Sequence, residues 1–178
     1  MKNTRVIITA KGGPEVLKLI EEDIPEPGPG QVRLKNMVTG VAFADVLMRY
    51  GMYPKMPPLP FSPGYDVVGV VDKLGSGVSG FNLGDMVAAL TMTGGYSQYL
   101  CVAAAELVPV PAGVDPAEAV SLVLNYVTAQ QMIHCIAELR PGQSVLIHGA
   151  AGGVGTAAPG VGQACRFENV WNRVARQT

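Results

Sequence analysis

A cluster of glycines that follows a short apolar segment constrains this chain more than any other feature of its sequence. Ser144–Ile147 contains β-forming residues and leads directly into His148–Gly155, which holds four glycines. This order is typical of a strand that ends in a phosphate-binding turn and continues as a helix, because glycines let the backbone approach a pyrophosphate closely. The usual spacing is Gly-x-Gly-x-x-Gly, and here Ala150 stands at its first position, before Gly152 and Gly155.

Composition and charge exclude several classes of protein. The chain has 178 residues, a formal net charge of −1 and 15% charged residues, so nothing indicates a nucleic-acid partner or an anionic membrane surface. No apolar run reaches the ~20 residues of a membrane-spanning helix. The three cysteines, Cys101, Cys135 and Cys165, are isolated and odd in number, which argues against a disulfide framework and predicts a cytoplasmic location.

The first 113 residues are predicted to be mostly β-structure. Val32 and Leu34 alternate with Arg33 and Lys35, as in a strand with one buried face, whereas Val67–Val71 is apolar enough to be buried on both faces. Residues 53–63 contain five prolines and are predicted to form an extended loop. Many short strands separated by glycine and proline turns are typical of a small barrel or sandwich.

The sequence pattern changes to helical at Asp115. Asp115 is a suitable cap, Pro116 suits the first helical position, and Glu118 can reach back to the cap. Residues 114–140 are therefore predicted to form two linker helices, or one helix with a kink near Asn125. Residues 141–156 then hold the strand and the glycine turn.

Taken in order, these pieces resemble the medium-chain dehydrogenase/reductase superfamily in its zinc-independent quinone oxidoreductase branch. The motifs that carry the resemblance lie at residues 12–17, 25–30, 40–46, 51–54, 59–65, 84–85, 94–96, 125–129 and 148–155. The resemblance implies a mixed α/β fold, with a GroES-like β-barrel domain at 1–113 that carries the substrate site. The linker helices and only the first strand and glycine turn of a Rossmann domain would follow. It also implies hydride transfer from NADPH to a quinone or an α,β-unsaturated carbonyl.

The resemblance also bears on metal binding. Relatives that bind zinc have Cys at the position of Ala42 and His at the position of Tyr65. Alanine cannot bind a metal and a neutral tyrosine is a poor ligand, and three cysteines cannot form a four-cysteine structural site. We therefore expect neither a catalytic nor a structural zinc.

Family members also suggest which residues would form the site. Tyr53 is the predicted catalytic residue, since it could donate a proton or hydrogen bond to the enolate; the alternative is a tyrosine packed at the mouth of the proline loop. Thr128 would contact the cofactor or bond its own helix backbone. Asn125 would orient the cofactor or mark a helix break. The remaining predicted cofactor-binding residues are those of the turn: Ala150, Ala151, Gly152, Gly153, Val154 and Gly155.

The final segment, residues 157–178, departs from the family pattern. Pro159 falls where the family has a long apolar helix, and a proline inside a helix costs ~3 kcal/mol. We expect this tail to be poorly ordered. The genetic code permits codons for residues 163–178 that, read one nucleotide later, encode a family-like helix and strand. Our hypothesis is a frameshift near codons 157–162 that leaves a C-terminally truncated chain.

Three functional interpretations remain open at this stage. The family is one of NADPH-dependent quinone or enone reductases. Without its later strands, this chain by itself is expected to bind NADPH weakly and to be an inactive truncated fragment. Alternatively, the exposed strand and apolar helices could make it an interaction module that forms a homo-oligomer. The substrate, the choice of NADPH over NADH and the oligomeric state are not determined by the sequence.

Overall fold

The computed structural model describes residues 1–164 and 169–172, and it divides the chain into two compact units, Met1–Ser121 and Leu122–Thr178. The first unit holds seven strands and one α-helix, and helix α2 crosses the boundary into the second. The elements, in chain order, are β1 (Lys2–Ile8), β2 (Leu17–Asp23), β3 (Gln31–Thr39), α1 (Phe43–Tyr50), β4 (Asp66–Leu74), β5 (Met86–Leu90), β6 (Tyr99–Ala103), β7 (Val108–Pro109), α2 (Pro116–Gln130), a π-helix (Gln131–Ile136), β8 (Ser144–Ile147), α3 (Gly153–Ala164) and β9 (Asn169–Asn172). Short 3-10 helices lie at Pro14–Val16 and Ala104–Glu106.

The strands of the first unit form a two-stranded antiparallel ribbon, β1–β2, and a five-stranded antiparallel sheet in the order β6-β3-β4-β5-β7. The predicted burial pattern is confirmed, because Val32 and Leu34 on β3 and Val67 and Val68 on β4 are all 0% exposed. The apolar core of the unit is built from these central strands and their neighbours. Its buried members are Val32, Leu34, Val67, Val71, Val87, Ala89, Leu100, Val102 and Leu107.

The mixed α/β class is confirmed, and within the described residues the strands of the first unit form an open sheet and a ribbon rather than a closed barrel. Edge strands β6 and β7 are not paired with each other. β7 is only two residues long and includes Pro109, which has no N–H to extend a ladder. The ribbon joins the rest of the unit through isolated bridges, Arg5 to Ser97 and Ile8 to Phe61, rather than through a continuous ladder.

The helical segment begins as predicted and changes character later than predicted. Asp115 Oδ1 accepts hydrogen bonds from the backbone N–H groups of Ala117 (2.7 Å) and Glu118 (3.2 Å), which caps α2. The helix then runs through Asn125 without a break. The division falls between Gln130 and Gln131, where the α-helix becomes a π-helix.

The second unit contains more of an α/β fold than the single strand and turn predicted from the sequence. β8 pairs in parallel with β9, in a register that joins Ser144 to Asn169 and Ile147 to Asn172, and α3 lies between them in the chain. The predicted tail boundary at 156 falls inside α3, which contains Pro159 and buries Ala157, Ala158 and Val161. Residues 165–168 and 173–178 of that tail lie outside the described residues, as does Cys165; Cys101 and Cys135 are free thiols.

Within residues 1–164 and 169–172, no helix combines the length and apolar character that a bilayer crossing requires.

Candidate functional site

The glycine turn connects the end of β8 to the start of α3. Gly149 has a left-handed backbone (φ +66°), and its carbonyl accepts a hydrogen bond from the N–H of Gly152 at 2.9 Å. A Cβ on Gly155 would lie 2.6 Å from the Cα of Ala150 and would also collide with the carbonyl oxygen of Gly149. The backbone of Gly149 and Ala150 therefore leaves no room for a side chain at Gly155.

The outer part of this turn is exposed. Ala151, Gly152 and Gly153 are exposed, whereas Ala150, at the first position of the motif, is only 2% exposed. The first N–H groups of a helix have no acceptor within the helix and carry its positive dipole end. The turn can therefore offer unpaired donors to an anionic group such as a pyrophosphate.

Two of the predicted cofactor residues lie on α2 in the same unit. The side-chain amide of Asn125 lies against Gly153, the first residue of α3. The hydroxyl of Thr128 donates to the carbonyl of Leu124 at 2.7 Å, which is the helix-backbone bond considered as its structural alternative. That bond uses the hydrogen of Thr128 and leaves its oxygen able to accept, so a contact with a cofactor stays a prediction.

An apolar cavity of about 660 Å³ adjoins the turn within the second unit. Gly149, Gly152 and Gly155 are among the residues that line it, together with apolar residues such as Ile133 and Leu139. Sequence reasoning missed this cavity, because its walls come from α2, the π-helix, β8, the glycine turn and α3 together, and no single motif marks it.

In the first unit, the predicted catalytic residue Tyr53 forms a pair with Tyr65. Their hydroxyl oxygens are 2.9 Å apart, and their rings meet edge to face, with centroids separated by 6.2 Å and planes inclined by 73°. Tyr53 lies in the proline loop, whereas Tyr65 directly precedes β4. The loop is irregular rather than extended throughout, because it turns at residues 53–55, where Lys55 has a left-handed backbone (φ +56°), and bends at residues 59–60. Sequence reasoning considered Tyr65 only as a substitute for a metal ligand and missed this pairing.

The environment keeps Tyr65 protonated. Burial, followed by the hydrogen bond with Tyr53, raises the pKa of Tyr65 from 10.0 to about 12. Burial and the nearby carboxylate of Asp45 raise the pKa of Tyr96 well above its ordinary value. Both phenols are therefore neutral hydrogen-bond donors at physiological pH.

Asp45 holds the surrounding loops together. Its carboxylate is buried (6% exposed) and accepts hydrogen bonds from the N–H groups of Gly64 (3.0 Å) and Ala42 (2.9 Å) and from the hydroxyl of Tyr96 (3.2 Å). Buried Asp66 accepts in the same way from the N–H of Gly40, at 2.9 Å. These are structural hydrogen bonds, which tie α1 and the segments around it to one another.

The described residues offer no cluster for a metal ion. No group of three or more His, Cys, Asp or Glu side chains in this part of the chain lies close enough to hold one. Ala42 provides no ligand atom, and the protonated phenol of Tyr65 is bonded to Tyr53.

Comparisons with known proteins agree with this architecture. Residues 28–112 match the family model described as the alcohol dehydrogenase GroES-like domain. The chain is 42% identical over 168 residues to the synaptic vesicle membrane protein VAT-1 homolog of Rattus norvegicus, covering 93% of this chain and 41% of the relative. It is 39% identical over 159 residues to the quinone oxidoreductase of Lama guanicoe, covering 88% and 48% respectively.

A solved structure agrees over most of the chain. Crystal structures of the quinone oxidoreductase from Thermus thermophilus and its complex with NADPH match with a TM-score of 0.81 and 36% identity, over 93% of this chain and 52% of that one. The chain therefore spans about half the length of the relatives that it matches.

Proposed function

We propose that this chain, which belongs to the medium-chain dehydrogenase/reductase superfamily, carries the nucleotide turn and the substrate-side tyrosine of a zinc-independent oxidoreductase. The reaction would reduce a quinone or an α,β-unsaturated carbonyl with NADPH. The observation that carries this proposal is the turn between β8 and α3. There the backbone around Gly155 leaves no room for a Cβ, and the exposed turn precedes a 12-residue helix.

The turn fits a dinucleotide on three grounds: left-handed Gly149, the close approach at Gly155, and the exposure of Ala151 to Gly153. The backbone N–H groups of the turn would hold the pyrophosphate. Asn125, which packs on Gly153, and Thr128 on the same helix are proposed to serve the cofactor. NADPH as the nucleotide is supported by the Thermus thermophilus relative, whose structure includes its complex with NADPH. When bound, this cofactor supplies a hydride.

Tyr53 would act on the substrate. A carbonyl oxygen gains negative charge when the conjugated system accepts a hydride, and a phenol hydrogen directed at that oxygen stabilises it or protonates it. Tyr65, which stays protonated, can donate its hydrogen to the oxygen of Tyr53 across the 2.9 Å contact. That arrangement leaves the hydrogen of Tyr53 available to the substrate.

The first test is a titration of the purified chain with NADPH, followed by nucleotide fluorescence. Saturable binding at micromolar NADPH that is lost in Gly155→Ala supports the proposal. Reduction of a model quinone, compared between the natural chain and Tyr53→Phe, then tests the tyrosine. Absence of binding at millimolar NADPH would refute the proposal for this chain and favour an inactive fragment.

A second candidate function is self-association through the second unit. Within the described residues, β8 has one hydrogen-bonded neighbour, β9, and Leu146 on β8 is 61% exposed. Met132 and Ile136 on the π-helix are also exposed. Such a strand edge and apolar surface favour pairing with a second copy. Sedimentation velocity at several protein concentrations tests this, because a constant monomer mass would refute it. The cytoplasm remains the proposed location.

A further inference from the structure

Asn125 and Gly153 approach each other more closely than a side chain on Gly153 would permit. A Cβ built on Gly153 would lie 2.6 Å from Oδ1 of Asn125 and 2.8 Å from both its Cγ and Nδ2. Because the three atoms are nearly equidistant from that point, the face of the amide is turned toward the Cβ position of Gly153. Asn125 on α2 thus packs directly on the first residue of α3.

This closeness is particular to Asn125 and is not a general property of the α2–α3 packing. Gly160, farther along α3, faces Tyr126 of α2, and a Cβ there would lie 3.7 Å from Cε1 of that ring. That distance is an ordinary van der Waals contact, so Gly160 has room for a methyl group. Of these two positions, only the one at the start of α3 needs a glycine to accept its α2 neighbour.

The two motif glycines of α3 are also needed for different reasons. At Gly155 a Cβ would meet backbone atoms of the turn itself, which cannot move without opening the turn. At Gly153 the three atoms nearest to a Cβ all belong to the amide end of the Asn125 side chain, which is not fixed in place as the backbone is. Substitution of Gly153 would therefore leave the turn connected but remove the support that Asn125 gives it.

We infer that Asn125 is a positioning residue for the glycine turn: it acts on a bound nucleotide through Gly153, without touching the nucleotide. The amide fixes where the first turn of α3 begins, and so fixes the direction of the N–H groups that receive the pyrophosphate. This inference rests on the proposed nucleotide-binding function. It differs from a direct cofactor contact, because it predicts which part of a nucleotide senses the loss of Asn125.

The test measures the Kd of four variants: Asn125→Ala, Gly153→Ala, the double variant and the control Gly160→Ala. Each is titrated with NADPH and with 2′-phospho-ADP-ribose, which has the pyrophosphate but no nicotinamide. Positioning predicts that each single variant raises the Kd by about tenfold, equally for both ligands, and that the double variant is no weaker than either single one. Gly160→Ala should leave both Kd values unchanged. A loss confined to NADPH would overturn the inference in favour of a direct nicotinamide contact, and additive losses would also overturn it.

A second measurement does not depend on nucleotide. The N–H groups of Gly152 and Thr156 donate to the carbonyls of Gly149 and Gly152. Amide hydrogen exchange at these two residues, followed by NMR, should accelerate in Asn125→Ala and in Gly153→Ala but not in Gly160→Ala. Unchanged exchange in the first two variants would overturn the inference whether or not nucleotide binds. If the two variants show accelerated exchange but the natural chain binds no NADPH, the proposed function fails while the role of Asn125 in shaping the turn is supported.

Discussion

Replacement of Pro159 by alanine should stabilise the second unit measurably. Pro159 is the seventh residue of the 12-residue helix α3, well inside it. Its ring has no N–H to donate to the carbonyl four residues earlier, at Gly155, and it crowds that same carbonyl. An alanine restores the hydrogen bond, worth about 1 kcal/mol net, and removes the crowding, for a total of about 3 kcal/mol.

Circular dichroism provides the measurement, because unfolding of the second unit removes the helical signal of α3. With a urea slope of about 1–2 kcal/mol per molar for a unit of this size, about 3 kcal/mol moves the midpoint upward by roughly 1.5–3 M.

Gly160→Ala is the matched control, because it adds a methyl group to the next residue, where the nearest atom outside the helix would be 3.7 Å away. We expect it to add only about 1 kcal/mol, from helix propensity. If Pro159→Ala moved the midpoint no further than this control, the reasoning would fail, since α3 would then have adapted its backbone to the proline without cost.

Three further predictions concern the two candidate sites. Gly155→Ala should destabilise the second unit by about 1–3 kcal/mol and abolish NADPH binding, which the urea midpoint and the titration measure together; unchanged affinity would contradict the turn geometry. Asp45→Ala should lower the free energy of unfolding of the first unit by about 2–4 kcal/mol, measured by calorimetry, because three hydrogen-bond donors lose their acceptor. A loss under about 0.5 kcal/mol would show that water replaces the carboxylate. Because the pKa of Tyr65 is raised from 10.0 to about 12 in the folded chain, its contribution to stability is complete below pH 10 and is lost as the pH rises toward 12. An absorbance titration of the phenol groups compares the natural chain with Tyr53→Phe. It should show one tyrosine whose pKa falls in the variant, and identical curves would count against the pair.

Features that depend on neighbouring residues could be predicted from the sequence. The burial of Val67 and Val68 follows from an apolar run short enough to be a strand, and the cap at Asp115 follows from the Asp-Pro pair. The turn after Ile147 follows from the glycines that it needs. In each case the residues that determine the structure lie within one or two turns of chain.

Features that depend on distant residues could not be predicted in this way. Closure of a barrel requires the two edge strands to pair with each other. The sequence around Val108–Pro109 does not show that β7 is only two residues long, because similar apolar pairs occur in many places along the chain. The change to a π-helix at Gln131 has no glycine or proline beside it that would mark it in the sequence. The Tyr53–Tyr65 pair depends on how the proline loop returns to β4, which the loop composition does not determine.

The close packing of Asn125 on Gly153 has a consequence for how sequences of this kind can diverge. A residue with a Cβ at position 153 and an amide at position 125 cannot both occupy the space that is present here. Substitutions at the two positions should therefore be correlated across related sequences: an alanine or serine at 153 should accompany a smaller residue at 125, and a glycine should persist wherever asparagine does. Two motifs that are separate in the chain would then change together during evolution. A library of variants in which only one of the two positions is varied would contain mostly mismatched pairs.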